Sequence, residues 1–180
     1  MVLRQIGRWV GAIIGLIVAA VILLILFVHS GLYDLAATYP DSAPVKWIMS
    51  TTMDNSVKRH ARGIKVPALD DAAMIQAGAH HYRDDCQMCH GAPGVRIGEV
   101  GLGLNPKPPE LTEAAGDWKP NELFWLTKYG VRMTGMPGWG VIDSDDELWE
   151  TVAFARKLPT MTPAEYQALT KQAPPKSNAK

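Results

Sequence analysis

The chain has almost no cysteine and no net charge. Cys86 and Cys89 are its two cysteines in 180 residues, and 18 Lys and Arg balance 18 Asp and Glu. Two cysteines leave no second pair to complete a four-ligand zinc site. Both belong to one local motif, so no disulfide is available to staple a small core. Overall neutrality argues against nucleic acid as a partner. Nucleophile-base motifs, phosphate-cradling loops and clustered metal ligands are also missing, so no catalytic motif stands out.

Charge is missing locally as well. From Trp9 to Tyr33 there is no Asp, Glu, Lys or Arg, and Trp9 to Val28 is an apolar run of 20 residues. As a helix rising 1.5 Å per residue, the run covers a bilayer core of about 30 Å. A cleaved signal peptide is the alternative, but its apolar region is roughly 7 to 15 residues long, and no clean A-x-A site follows here. An uncleaved signal anchor is the favoured reading. Arg4 and Arg8 on the leading end put the N-terminus in the cytoplasm, with everything after residue 30 outside.

What the chain does have is Cys86-Gln87-Met88-Cys89-His90, the attachment signature of a c-type haem. Residues three apart share a face of a helical turn, so both thiols can form thioethers to the two vinyl groups on one haem edge. His90 then offers its imidazole to the iron as proximal ligand. A thioredoxin-like pair competes for the bare C-x-x-C, but it sits in a βαβ context absent here and does not require the histidine. One covalently held haem c is the expected cofactor, and it takes over the stapling role that a disulfide would have filled.

Between anchor and motif, residues 29–67 would reach on the order of 130 Å fully extended or roughly 35 Å as a flexible coil. Val45, Ile48, Met49, Thr52, Met53 and Val57 recur at helical spacing after Pro44 and predict an amphipathic helix from about Pro44 to Arg62. Its apolar stripe has three outlets: the haem domain, the membrane surface, or a partner subunit, the last being favoured. Lys58, Arg59, His60 and Arg62 also complement a helix C-terminus. Residues 34–67 carry five Lys and Arg against three Asp, whereas residues 68–180 carry eleven against fifteen Asp and Glu. The haem domain is thus mildly acidic and would favour a basic docking face on its partner.

Asp70 is the predicted N-cap of a helix running to the motif. Gly78 and Tyr82 share one face of it, and a glycine in mid-helix marks close approach of another backbone. The sequence here resembles class I cytochromes c, over roughly residues 68–160. The resemblance implies a small all-α haem fold in which Gly78 and Tyr82 cross the C-terminal helix near Phe154. It also leaves His80 and His81 as surface residues. Gly91, Pro93, Gly94, Gly98, Gly101 and Gly103 predict loop around the haem. Asn105-Pro106-Lys107-Pro108-Pro109-Glu110-Leu111-Thr112 looks like the family's proline loop, whose Pro carbonyl accepts the proximal histidine Nδ1 hydrogen. Pro109 gives the best register, and a plain rigid loop is the other reading. Pro120 opens a second helix stopped by Gly130, with Leu123, Phe124 and Leu126 expected to line the pocket and Trp125 either core or rim. In Met133-Thr134-Gly135-Met136-Pro137-Gly138-Trp139-Gly140, the Gly-Met-Pro stretch resembles the family's distal loop, so Met136 is preferred to Met133 as second axial ligand. Trp139 is either a hydrogen-bond donor near a haem propionate or plain core. Ser144 and Glu147 form a capping box for the C-terminal helix, Thr162-Pro163 opens a last short one, and the tail from Ala173 is expected to be disordered.

These readings divide the chain into an N-terminal tail and transmembrane anchor (1–33), a linker with an amphipathic helix (34–67), a mono-haem domain (68–166) and a tail (167–180). With His90 and Met136 both on the iron, no site is open to substrate. The expected role is therefore single-electron relay, not enzymatic turnover. The expected place is the periplasmic face of a bacterial inner membrane. The protein would serve respiratory redox partners, as a free tethered carrier or as the haem subunit of a larger integral-membrane oxidoreductase. A gas sensor with an open sixth site is the competing class.

Overall fold

The computed structural model describes residues 2–171 and separates into two compact units, residues 1–39 and 40–180. The expected disordered tail from Ala173 lies outside the described residues. The first unit contains α1 (Val2–His29), a 28-residue helix exposed along its described length and long and apolar enough to cross a membrane. The second unit begins at Pro40, so the helix expected inside a linker, α2 (Ala43–His60), is part of the compact unit. Pro44 stands in its first turn, where a missing N–H costs nothing. Val57 and the following Ala61 are fully buried, and Asn121 Nδ2 donates to the Ala61 carbonyl at 2.8 Å. The C-terminal part of α2 thus packs on the cytochrome-like core, one of the three outlets open from sequence.

The core is a helix crossing. α3 (Ala72–His81) is capped by Asp71, whose Oδ1 accepts from Met74 N at 2.9 Å. The cap falls one residue after the expected Asp70, because α3 begins at Ala72 and the third helical amide, Met74 N–H, is the one in reach of Asp71. α8 (Asp145–Ala155) starts at the Ser144/Glu147 capping box and lies across α3. A Cβ at Gly78 would stand 1.9 Å from the Glu150 carbonyl oxygen, so the two backbones meet there directly. Tyr82 and Phe154 then pack with their rings tilted by 52°, centres 5.4 Å apart, both fully buried. The same close approach buries Gly78, Ala79 and His80 in succession. His80 is therefore interior and not the surface residue expected, whereas His81 is half-buried against Glu150 at 3.3 Å.

α7 (Pro120–Tyr129) packs on the other side of α8. Leu123 and Phe124 bury against Leu148, Trp149 and Val152, with Phe124 stacked on Trp149 at 4.1 Å. These two side chains are core, where pocket lining had been expected. Trp125 sits at the rim, half-buried and stacked on His60 at 5.7 Å. Three short helices complete the unit around the motif: α4 (Gln87–His90), α5 (Glu99–Leu102) and α6 (Leu111–Ala114). α9 (Pro163–Lys171) follows and runs past the expected boundary at 166, burying Tyr166 beside Phe154.

Gly78→Ala should remove about 2 kcal/mol or more of stability, because overpacking against backbone has no flexible side chain to absorb it. Gly116→Ala, with open space around its Cβ, should stay within about 0.5 kcal/mol of wild type. Thermal or denaturant unfolding of both variants measures this. Equal stability for the two would contradict the crossing.

Candidate haem site

After α3 the chain widens into one π-helical turn, Tyr82–Cys86, and continues straight into α4. Both cysteines and His90 therefore sit on a single helical path whose direction the α3–α8 crossing sets. Gly91 ends it in the left-handed region at φ 67, where a side chain would be strained, and its N–H donates to Gln87 O at 2.9 Å. The glycine-rich stretch then lies directly on the motif: Gly98 N–H donates to the Met88 carbonyl at 3.0 Å, and a Cβ at Gly101 would stand 2.9 Å from Cys89 Cα. Glycine is needed here for backbone proximity, and the stretch includes the helical turn α5 where only loop was expected.

His90 Nδ1 is 2.8 Å from the Pro109 carbonyl oxygen. Of the neighbouring prolines 106, 108 and 109, it is thus Pro109 that meets the ring. A carbonyl only accepts, so Nδ1 carries the hydrogen. Burial lowers the His90 pKa, with the Pro109 bond opposing it, which favours the neutral ring. A neutral imidazole protonated on Nδ1 leaves the Nε2 lone pair free for a metal.

Cys86 and Cys89 are half-buried and not joined to each other. Burial pushes the Cys86 thiol up to about 12, with Asp85, Asp143 and Cys89 adding to the effect. That is the opposite of the lowered pKa of a redox-active C-x-x-C. Nor do the described residues contain a strand element that could supply the βαβ setting of a thioredoxin-like pair. The donor chemistry of the segment fits a haem c: one ring nitrogen presented to a metal and two unpaired thiols one helical turn apart.

Met136 and Trp139 belong to a second loop, laid against the C-terminal end of α7. Gly130, at φ 66, stops the helix, and a Cβ there would stand 2.5 Å from Pro137 C. Val131 N–H donates to the Met136 carbonyl at 3.2 Å, and Met136 N–H to Thr134 Oγ1 at 3.1 Å. Met136 is half-buried, whereas Met133 is 75 % exposed with a left-handed φ of 61. Trp139 is half-buried and packs against the Leu123–Val152 cluster.

Residues 73–154 match the family model described as cytochrome c oxidase, cbb3-type, subunit III. The match supports a class I c-type cytochrome domain over those residues. No curated protein matches it. A cytochrome c domain binds haem c and works by haem-based electron transfer.

Two contacts of this cytochrome domain had no counterpart in the sequence reading. The Tyr82 hydroxyl donates to the Gly91 carbonyl at 2.7 Å, bracing the turn that follows His90 from within the core. Tyr166 of α9 donates to Gln87 Oε1 inside the C-x-x-C-H motif. A tyrosine in a helix-crossing position was the available signal, since a buried phenol calls for an acceptor. Near Cys86, Asp85 and Asp143 both have carboxyls raised chiefly by burial, with His81 opposing.

Tyr82→Phe should cost about 1–3 kcal/mol, because it leaves the buried Gly91 carbonyl without its donor while keeping the ring. Chemical denaturation of the haem-loaded protein measures this. An unchanged midpoint would contradict the bracing role.

Proposed function

We propose that the protein is a membrane-anchored, mono-haem electron relay with iron axially held by His90 and Met136. Cys86 and Cys89 would attach the haem by thioethers, and Trp139 would form part of the wall. The observation that carries the reading is the His90 Nδ1–Pro109 contact at 2.8 Å within a C-x-x-C-H motif. The bond orients the ring and keeps Nε2 as the metal-facing atom. Met136 is favoured over Met133 by its half-burial and by two hydrogen bonds that close its loop on itself, from Val131 N–H to the Met136 carbonyl and from Met136 N–H to Thr134 Oγ1. When bound, the haem supplies a reversible one-electron couple, and a thioether ligand raises its potential. The rest falls to the chain: α3 and α8 fix the motif, and the proline loop and the Met136 loop would hold His90 and Met136 as the residues that bind the iron.

With α1 as an uncleaved anchor, the domain works at the periplasmic face of a bacterial inner membrane and exchanges electrons with respiratory partners. Two forms of that work are compatible with the fold, a tethered carrier and a subunit of an integral-membrane oxidoreductase. The packing of α2 on the cytochrome unit supports the second, as does the matched family's description as an oxidase subunit.

Met136→Ala should abolish the weak far-red sulfur-to-iron charge-transfer band of the oxidised protein, while Met133→Ala leaves it intact. In the same samples, reduced wild type should convert slowly or not at all to a carbon monoxide adduct at neutral pH, and Met136→Ala rapidly. A band that survives in Met136→Ala and vanishes in Met133→Ala would reverse the ligand assignment. Rapid conversion of wild type would favour a gas sensor.

A further inference from the structure

The haem site leaves one surface unexplained, the outer face of α2. At 100° per residue, Ile48, Thr51, Asn55, Lys58 and Arg59 fall within about 100° of arc on the side of α2 away from the buried Val57, with Trp47 at its edge. The sector is apolar at its start, where Trp47 is 68 % and Ile48 52 % exposed, uncharged in the middle and basic at its end. Lys58, Arg59, Arg62 and Lys65 are exposed and pair with no described acid, and Asp54 is the only acid between residues 42 and 69. Helix capping accounts for Lys58 and Arg59. It does not account for Arg62 and Lys65, which lie beyond the last turn of α2.

We propose that this face lies on a bilayer surface bearing anionic phospholipid headgroups. Trp47 and Ile48 enter the interface, and the four basic side chains meet headgroup phosphates. An exposed aromatic and aliphatic end joined to a basic end is the composition of an interfacial helix. Composition and tether length together point to lipid as the occupant. Residues 30–42, on the order of 45 Å when fully extended, are all that separates α1 from α2, so the face stays within reach of the membrane that α1 spans. Because α2 is fixed to α7 through Ala61 and the His60–Trp125 stack, seating it on lipid would hold the haem domain in one orientation to the membrane. The proposal rests on the reading of α1 as an anchor.

The test is hydrogen exchange on the full-length haem-loaded protein in nanodiscs of phosphatidylcholine, with or without one part in three of phosphatidylglycerol. Peptides spanning residues 43–65 should exchange about fivefold more slowly in the anionic discs, an electrostatic gain reversed by ~0.5 M salt. The K58E/R59E/R62E variant should lose the protection while keeping the wild-type haem spectrum. Equal exchange in both discs, with residues 9–28 protected, overturns the proposal alone. Exchange of residues 9–28 in both discs overturns the anchor reading and the proposal with it. Protection that appears only on adding a partner protein also overturns it, assigning the face to protein.

Discussion

The hydrogen bond from His90 Nδ1 to the Pro109 carbonyl ties two segments nineteen residues apart and sets the protonation of the ring at the same time. Without it the imidazole is free to rotate and to carry its hydrogen on either nitrogen. With it, the hydrogen sits on Nδ1 and leaves the Nε2 lone pair free, and burial shifts the ring toward its neutral form. The bond requires the His90 backbone and the proline loop to be held independently and accurately. The backbone is held from below, where Gly78 admits the Glu150 carbonyl and Tyr82 reaches Gly91. The motif is also covered from above, where Gly98 and Gly101 press on Met88 and Cys89. A small domain with no disulfide thus reaches precision through backbone contacts at glycines, with haem as its covalent complement.

The parts legible in the sequence were those governed by local chemistry. Pro120 and Gly130 bound α7 because one lacks the N–H that a helix start does not need and the other adopts φ 66 at its end. Ser144 and Glu147 announced α8 by reciprocal capping. Family resemblance supplied the crossing of Gly78 and Tyr82 with Phe154, the register of Pro109 and the preference for Met136, none of which spacing alone determines. Long-range packing was not legible. His80 was read as a surface residue although Gly78 signalled a close approach, because a crossing at Gly78 and Tyr82 does not by itself say which side chains between them it covers. Leu123 and Phe124 were read as pocket lining, although α8 presents Trp149 to them. Tyr166 lies seventy-nine residues from Gln87, outside the span of the matched family, and only the fold joins them.

The acidic bias of the haem domain and the basic end of α2 belong to one compact unit. Within it, basic side chains lie at the end of α2 and the carboxylates of Asp85 and Asp143 lie near Cys86. Electron transfer depends on which edge of the haem meets a partner, so a unit that presents itself in one orientation gains rate without added affinity.

The central claim is that the fold presents His90 as a neutral imidazole with its hydrogen on Nδ1 and its free lone pair on Nε2. Nitrogen-15 NMR of the histidine-labelled, reduced, haem-loaded protein tests it most directly. The account predicts a slowly exchanging Nδ1 proton on His90, coupled across the hydrogen bond to the Pro109 carbonyl carbon, and no proton on Nε2. A proton on Nε2, or an Nδ1 proton in fast exchange with water, would contradict it.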